Sequence, residues 1–277
     1  ILEPLERKAC SFERIYFSRG TDPDIYRERK ELGRLMVPQV LKSINFDLKN
    51  TVFSYIPNTA EISFLGMMSG VEDYLISKRK EIIIDHKPSA DSLEDLLTFK
   101  PRIEKLVLKD AKLRTFIADA SHRDELVAHV YDTTFEVIQK DRDSLVIIDD
   151  SIVRGTTLEK SILTLLDNLN PKKIVIISSA PQIRFPDCYG IDMSKMNDFV
   201  AFRAVLALLI DEGKEYLLED VLEKCLADQN KVNEVNYVKE LYAPFSYDQI
   251  SQKIGEIVKP KKMKAVLEVV FQTVEGL

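Results

Sequence analysis

Apolar residues fall into short continuous runs that alternate with longer stretches at helical spacing. TVFSYIP at 51–57 is an apolar, β-branched run stopped by Pro57, and Ile62, Leu65, Met68 and Leu75 follow it at helix-like intervals. SLVIIDD at 144–150 is a short continuous apolar run, the pattern of a strand buried on both faces. Thr156 and Glu159 then make a candidate capping box that predicts a helix start near Thr156, with Leu158, Ile162, Leu165, Leu166 and Leu169 on one face. KIVIISS at 173–179 is the next strand. This strand, helix, strand order implies a parallel sheet with right-handed crossovers, an α/β fold with helices on its faces.

The flanks read differently. A helical stretch near 25–37 ends at Pro38 and is expected to pack on the flank of the core. From about Asp211 the pattern is mainly helical, with Leu217, Leu218, Val221, Leu222, Cys225 and Leu226 on one stripe and Val266, Val269 and Val270 on another. The division expected from these patterns is a junction and flanking helix at 1–50, a core at 51–210 and a mainly helical C-terminal appendage at 211–277. A chain of 277 residues is long enough for this.

The formal charge of -6 argues against a general nucleic-acid binder, which needs a surplus of Lys and Arg to displace counterions. Cys10, Cys188 and Cys225 are odd in number and far apart, so they form no disulfide framework or metal-ligand spacing, and a reducing cytoplasm is expected. FVAFRAVLALLI at 199–210 contains Arg203 and is too short to cross a bilayer, and the N-terminus lacks a signal-peptide core. His86, His122 and His129 are scattered and take no role.

The chemistry concentrates in LVIIDDSIVRGTT at 145–157. The strand carries Asp149 and Asp150 to the carboxyl edge of the sheet, where open α/β folds bind ligands. The loop beyond, with the small Gly155 and the hydroxyls of Thr156 and Thr157, forms a nest for a phosphate at a helix start. An anion in the nest beside paired acids suits a sugar phosphate.

This string resembles the phosphoribosylpyrophosphate (PRPP) signature of the type I phosphoribosyltransferases, and DDSIVRGTT is similar to the version in glutamine PRPP amidotransferases. CSFERIYFSR at 10–19 resembles that family's junction between glutaminase and transferase, and YRERKELG at 26–33 the segment after it. PNTA at 57–60 resembles its Pro-acidic-Thr-Ser turn, KLRTFI at 112–117 its mobile loop, and SSAPQIRFPDCYGIDM at 178–193 its next strand and loop. The likeness covers roughly residues 10–205.

The resemblance implies a type I phosphoribosyltransferase fold and transfer of ammonia to C1 of PRPP, giving 5-phosphoribosylamine and pyrophosphate, the first step of purine synthesis. It implies that Asp149 and Asp150 contact the ribose hydroxyls and Mg2+, that Ser151, Ile152, Val153, Arg154, Gly155, Thr156 and Thr157 hold the 5′-phosphate, and that Thr59 contributes to the metal site. Arg114 falls in the loop that closes over substrate. Arg184 either faces phosphate or nucleotide, or is a solvated loop arginine beside a buried Phe185. Purine nucleotides are implied as inhibitors and a homo-oligomer as the assembly.

Asn58 and Ala60 stand where the family has an acid and a serine, and the mobile loop is shorter before RTFI. The sequence begins at Ile1 without the family's N-terminal cysteine and hydrolase domain, so it is expected to be a fragment whose glutaminase domain belongs to the full-length protein. The competing reading is a PRPP- or nucleotide-sensing module without turnover. A base-salvage transferase would share the signature but not the junction and IRFP-CYGIDM motifs.

Overall fold

The structure is a computed structural model and describes residues 14–15, 18–86, 88–109, 131–134, 136–186, 194–229 and 235–277. Its centre is a five-stranded parallel sheet, in the order β2-β1-β5-β6-β7. The strands are β1 (Thr51–Tyr55), β2 (Arg102–Ile103), β5 (Ser144–Asp149), β6 (Lys173–Ser178) and β7 (Val266–Phe271). β3 (Val107–Lys109) and β4 (Tyr131–Thr133) form a separate antiparallel pair.

The apolar run of β5 is explained by its place. Leu145 and Ile147 belong to the core on one face of the sheet, Val146 and Ile148 to the core on the other, and all four are fully buried. β6 divides in the same way, with Ile174 and Ile176 on the first face and Val175 and Ile177 on the second. Each such side chain stabilises the fold by roughly 1.5–3 kcal/mol through burial, which fixes the register of the strands that carry the site.

Helix α1 (Pro23–Leu35) starts at an Asp22 cap whose carboxylate accepts from the Asp24 and Ile25 amides at 2.9 and 3.1 Å. Pro38 does not close this region. It lies in the first turn of α2 (Val37–Ser43), where a proline loses no helical hydrogen bond. α1 packs on α3 (Glu61–His86) through glycines: a Cβ on Gly33 would lie 1.7 Å from the Ser63 carbonyl oxygen, and one on Gly66 1.7 Å from that of Lys30. α3 therefore turns Phe64, Met67, Met68 and Val71 inward and leaves Leu65 46% exposed, against the expected stripe. In ISFLGMM almost every position is apolar or small, so periodicity alone does not select the face. α4 (Ala90–Thr98) follows.

After β5 the helix begins at Thr156, with Gly155 as the preceding residue and the acceptor for the Glu159 amide at 3.0 Å. A wide π turn over Leu158–Ile162 leads into α5 (Leu163–Asp167). The wide turn rotates the residues beyond it, so Leu163 is fully buried and Leu165 only partly, a shift that a regular 3.6-residue period does not foresee.

The C-terminal part is mainly helical, with α6 (Val200–Asp211), α7 (Tyr216–Ala227), α8 (Lys239–Tyr242) and α9 (Tyr247–Val258). It then ends in β7, which pairs with β6 along its whole length. The reading of Val266, Val269 and Val270 as a helical stripe is thus corrected: they lie on an edge strand of the main sheet. Among the described residues no helix is long and apolar enough to cross a membrane.

Candidate functional site

Parallel strands bring their carboxyl ends to one edge, so the segments after β1, β5 and β6 meet there. The Ile56 amide donates to the Ile148 carbonyl at 2.9 Å, which ties the 57–60 turn alongside the end of β5. Thr59 is half-buried in that turn, Ala60 is buried, and the Pro57–Asn58 peptide is cis.

Asp149 ends β5, and its Oδ1 accepts the Asp150 amide at 2.8 Å. Ser179, following β6, braces both acids: its amide donates to the Asp149 carbonyl at 2.9 Å and its hydroxyl to the Asp150 carbonyl at 3.2 Å. Burial first, and then the neighbouring Asp150 charge, push the Asp149 carboxyl well above the usual carboxylate range. Two acids held this close in a partly buried site favour a proton or a cation between them.

Two residues not foreseen from sequence share this environment. The Tyr131 phenol, on β4, is pushed up to about 12 by burial and then by the charges of Asp149 and Asp150. The Arg29 guanidinium, on α1, is lowered by burial, while the Asp150 charge acts in the opposite direction. Arg29 lies in the YRERKELG segment, to which the resemblance gives no role at the acids, and no motif marks Tyr131.

The side chains of the 151–157 segment are divided between the core and the surface. Ile152 is 3% exposed and belongs to the core, and Val153 packs against Ile183 and Phe199, so each could face a ligand through its backbone alone. The Val153 carbonyl accepts from the Val200 amide at 2.8 Å, and the Arg154 carbonyl accepts from Arg203 Nη2 at 2.7 Å. Arg154 itself lies 3.4 Å from Asp198. Gly155 has φ +72°, and a Cβ there would meet Val258 Cγ1 at 2.6 Å. Ser151 is buried, Thr156 half-buried and Thr157 exposed.

Arg184 is neither a freely solvated loop residue nor seen in contact with the acids. Its Nε and Nη2 donate to Gln182 Oε1 at 3.1 and 2.8 Å, and its guanidinium stacks 5.0 Å from the Tyr242 ring centre and 5.2 Å from that of Tyr247. Gln182 in turn binds the Tyr247 carbonyl and the Ser251 hydroxyl. The loop after β6 is thereby fastened to α8 and α9. Arg114 lies outside the described residues.

A groove of about 1060 Å3 runs along the open edge of β7, between α2 and α9. None of the residues of the 57–60 turn or the 149–157 segment lines it.

No family model matches the chain. It is similar to the amidophosphoribosyltransferase of Lachancea kluyveri, with 27% identity over 266 residues, 91% of this chain and 46% of that protein. The Pasteurella multocida enzyme is 35% identical over 137 residues, 45% of this chain and 27% of that protein. The Synechocystis enzyme is 28% identical over 218 residues, 76% of this chain and 37% of that one. The chain thus spans less than half the length of these relatives. Among solved structures, the glutamine PRPP amidotransferase of B. subtilis complexed with ADP and GMP superposes with a TM-score of 0.52 at 20% identity, over 99% of this chain and 42% of that one. A structure of the allosteric regulatory enzyme of purine biosynthesis superposes at 0.51 and 21%, over 96% and 40%. The sheet with its flanking helices is the type I phosphoribosyltransferase fold of those proteins.

Proposed function

From its relationship to the amidophosphoribosyltransferases, we propose that this chain is the PRPP-binding, aminating part of such an enzyme. The observation that carries the reading is the acid pair Asp149–Asp150 at the carboxyl edge, joined directly to a tight loop and a helix start. In the reaction, nitrogen of ammonia bonds to C1 of the ribose while the C1–oxygen bond to pyrophosphate breaks, and a proton is lost from the nitrogen. In the full-length protein a glutaminase domain supplies the ammonia.

The roles of the acids and the loop are supported by their position at the sheet edge, and that of Arg114 by the resemblance alone. Asp149 and Asp150 bind the ribose hydroxyls and stabilise positive charge developing at C1. Backbone groups of 151–157, with the Thr156 and Thr157 hydroxyls, take the 5′-phosphate at the helix start. Arg114 closes over the bound substrate and excludes water, which would otherwise compete as nucleophile. Arg184 positions the loop after β6 from its seat between Tyr242 and Tyr247.

Magnesium fits the donor set. Asp149, Asp150 and the Thr59 hydroxyl are hard oxygen donors, and the charge conflict between the acids is the kind a divalent cation relieves. Among the described residues no three or more His, Cys, Asp or Glu side chains cluster as a metal cage, which suits an ion completed by substrate phosphates and water. When bound, it offsets the charge of the departing pyrophosphate. Purine nucleotides compete for the same phosphate loop in this reading, and the protein assembles as a homo-oligomer in the cytoplasm.

The test is calorimetric titration of PRPP with and without magnesium, alongside pyrophosphate release with ammonium as nitrogen donor. Magnesium-dependent binding that Asp150→Ala abolishes in a folded protein, with ammonium-dependent release, is the expected result. Unchanged affinity in Asp150→Ala would remove the sugar and metal role, and GMP that leaves PRPP affinity untouched would place nucleotides elsewhere.

A further inference from the structure

Ser179 braces both acids through their carbonyls, so whatever fixes Ser179 also fixes them. It lies in the stretch 178–182, where the chain leaves β6 and where Pro181 offers no N–H for a tether. The stretch is held at its two ends instead. At one end the Ser178 carbonyl accepts the Gln272 amide at 3.0 Å, from the residue that follows β7. At the other end the Gln182 amide donates to the Tyr247 hydroxyl at 2.8 Å. The same hydroxyl donates to the Gln272 carbonyl at 2.7 Å. These three bonds close a circuit through 178–182, Gln272 and Tyr247, with Ser179 inside it.

One hydroxyl thus accepts from one end of the stretch and donates to the residue that holds the other. Gln182 and Gln272 are 7% and 2% exposed, so water is a poor substitute for it. The docking of α9 does not depend on this oxygen. Gln182 Nε2 donates to the Tyr247 carbonyl at 2.9 Å and to the Ser251 hydroxyl at 2.8 Å, and the Arg184 guanidinium lies over the Tyr247 ring. Removing the hydroxyl alone therefore opens the circuit and leaves the helix seated.

We propose that Tyr247 is a positioning residue for the acid pair, acting through Ser179. Its hydroxyl locks the exit of β6 to the end of β7, and the locked stretch presents the Ser179 amide and hydroxyl to the Asp149 and Asp150 carbonyls. The C-terminal helices are by this route part of the scaffold of the site, although none of their side chains is seen at the acids. The consequence for substrate rests on the PRPP reading above, whereas the hold on Ser179 does not.

The test is a double-mutant cycle of Tyr247→Phe and Ser179→Ala, read by calorimetric titration of PRPP with magnesium. Tyr247→Phe keeps the aromatic ring under Arg184 and should weaken PRPP binding by about two- to tenfold, the range for one net hydrogen bond. In the Ser179→Ala background the same change should weaken it clearly less. Equal effects in both backgrounds, or none in either, overturn the proposal. Tyr242→Phe is the comparison, because that hydroxyl donates to the Arg184 carbonyl at 3.0 Å, outside the circuit. An effect as large as that of Tyr247→Phe would show a general loosening of the loop and also overturn it. A ligand-free arm measures amide hydrogen exchange. In Tyr247→Phe the Ser179 amide should exchange about two- to tenfold faster relative to the amides of β6, and a uniform change over both would mark a merely structural tyrosine. If the wild type binds no PRPP, the PRPP reading fails, and exchange at Ser179 then decides alone whether the hydroxyl positions the brace.

Discussion

Replacing Gly155 by alanine tests how the loop after β5 is built. Two separate penalties apply at this position. The φ of +72° is a left-handed conformation that costs an L-residue about 1–2 kcal/mol. The new methyl would also meet the buried Val258 side chain at 2.6 Å, and overpacking of that kind costs about 1–3 kcal/mol. Together they amount to about 2–5 kcal/mol, a large share of a total stability of roughly 5–15 kcal/mol. At about 2–4 °C per kcal/mol, the melting temperature should fall by roughly 4–20 °C. Gly213 supplies the control, because it has φ +63° and nothing within 4 Å of its would-be Cβ, so Gly213→Ala should show only the backbone part. Thermal melts and urea titrations of Gly155→Ala in the wild-type and Val258→Ala backgrounds separate the two causes. The alanine should be clearly better tolerated where residue 258 is small. Equal costs in both backgrounds would refute the steric account, and a neutral Gly155→Ala would refute the whole reasoning.

Asp149→Asn should make the protein more stable at neutral pH while weakening PRPP binding. Burial and Asp150 raise the folded-state pKa of Asp149, so the folding penalty is absent below its unfolded pKa and grows as pH rises through the folded value. Melting curves from pH 4 to 8 should show the advantage of the variant growing with pH, and a constant or reversed difference would contradict the sign. Arg102→Met should destabilise by about 3 kcal/mol, because the guanidinium bridges at 2.6 Å to Asp143, which is 0% exposed and would be left as an uncompensated buried charge. Adding Asp143→Asn should recover part of that loss in urea titrations, and strictly additive effects would show that the pair does not interact.

Much of this is legible in the sequence because the central strands leave little choice. β5 and β6 are apolar at consecutive positions, which only a strand covered on both sides requires, and the acids at 149 and 150 then fall at the carboxyl edge. The failures share a cause: local pattern does not contain tertiary decisions. VLEVVF offers valines at 266, 269 and 270, a spacing that fits a helix as well as an edge strand, and pairing with β6 decides it. The glycine contacts of α1 choose the buried face of α3, and the π turn after Thr157 shifts the face that follows. Tyr131 and Arg29 feel the acids' charges, and neither the YRERKELG segment nor the residues around Tyr131 show this from sequence alone. Arg184 stands out in the loop after β6, but its tyrosine partners lie more than fifty residues further along the chain.

The strand order also constrains the timing of folding. β6 is complete at Ser178, yet the neighbour that covers its outer edge begins only at Val266, after α6 to α9 have been made. Closing so long a loop carries an entropic cost that must be met before any ladder bond rewards it, and such non-local pairings slow folding. As the chain leaves the ribosome, the unpaired amides and carbonyls of β6 stay open to other chains until those helices have emerged. Expression at low temperature or low synthesis rate should therefore raise the soluble yield of this protein more than further stabilisation of β5 would.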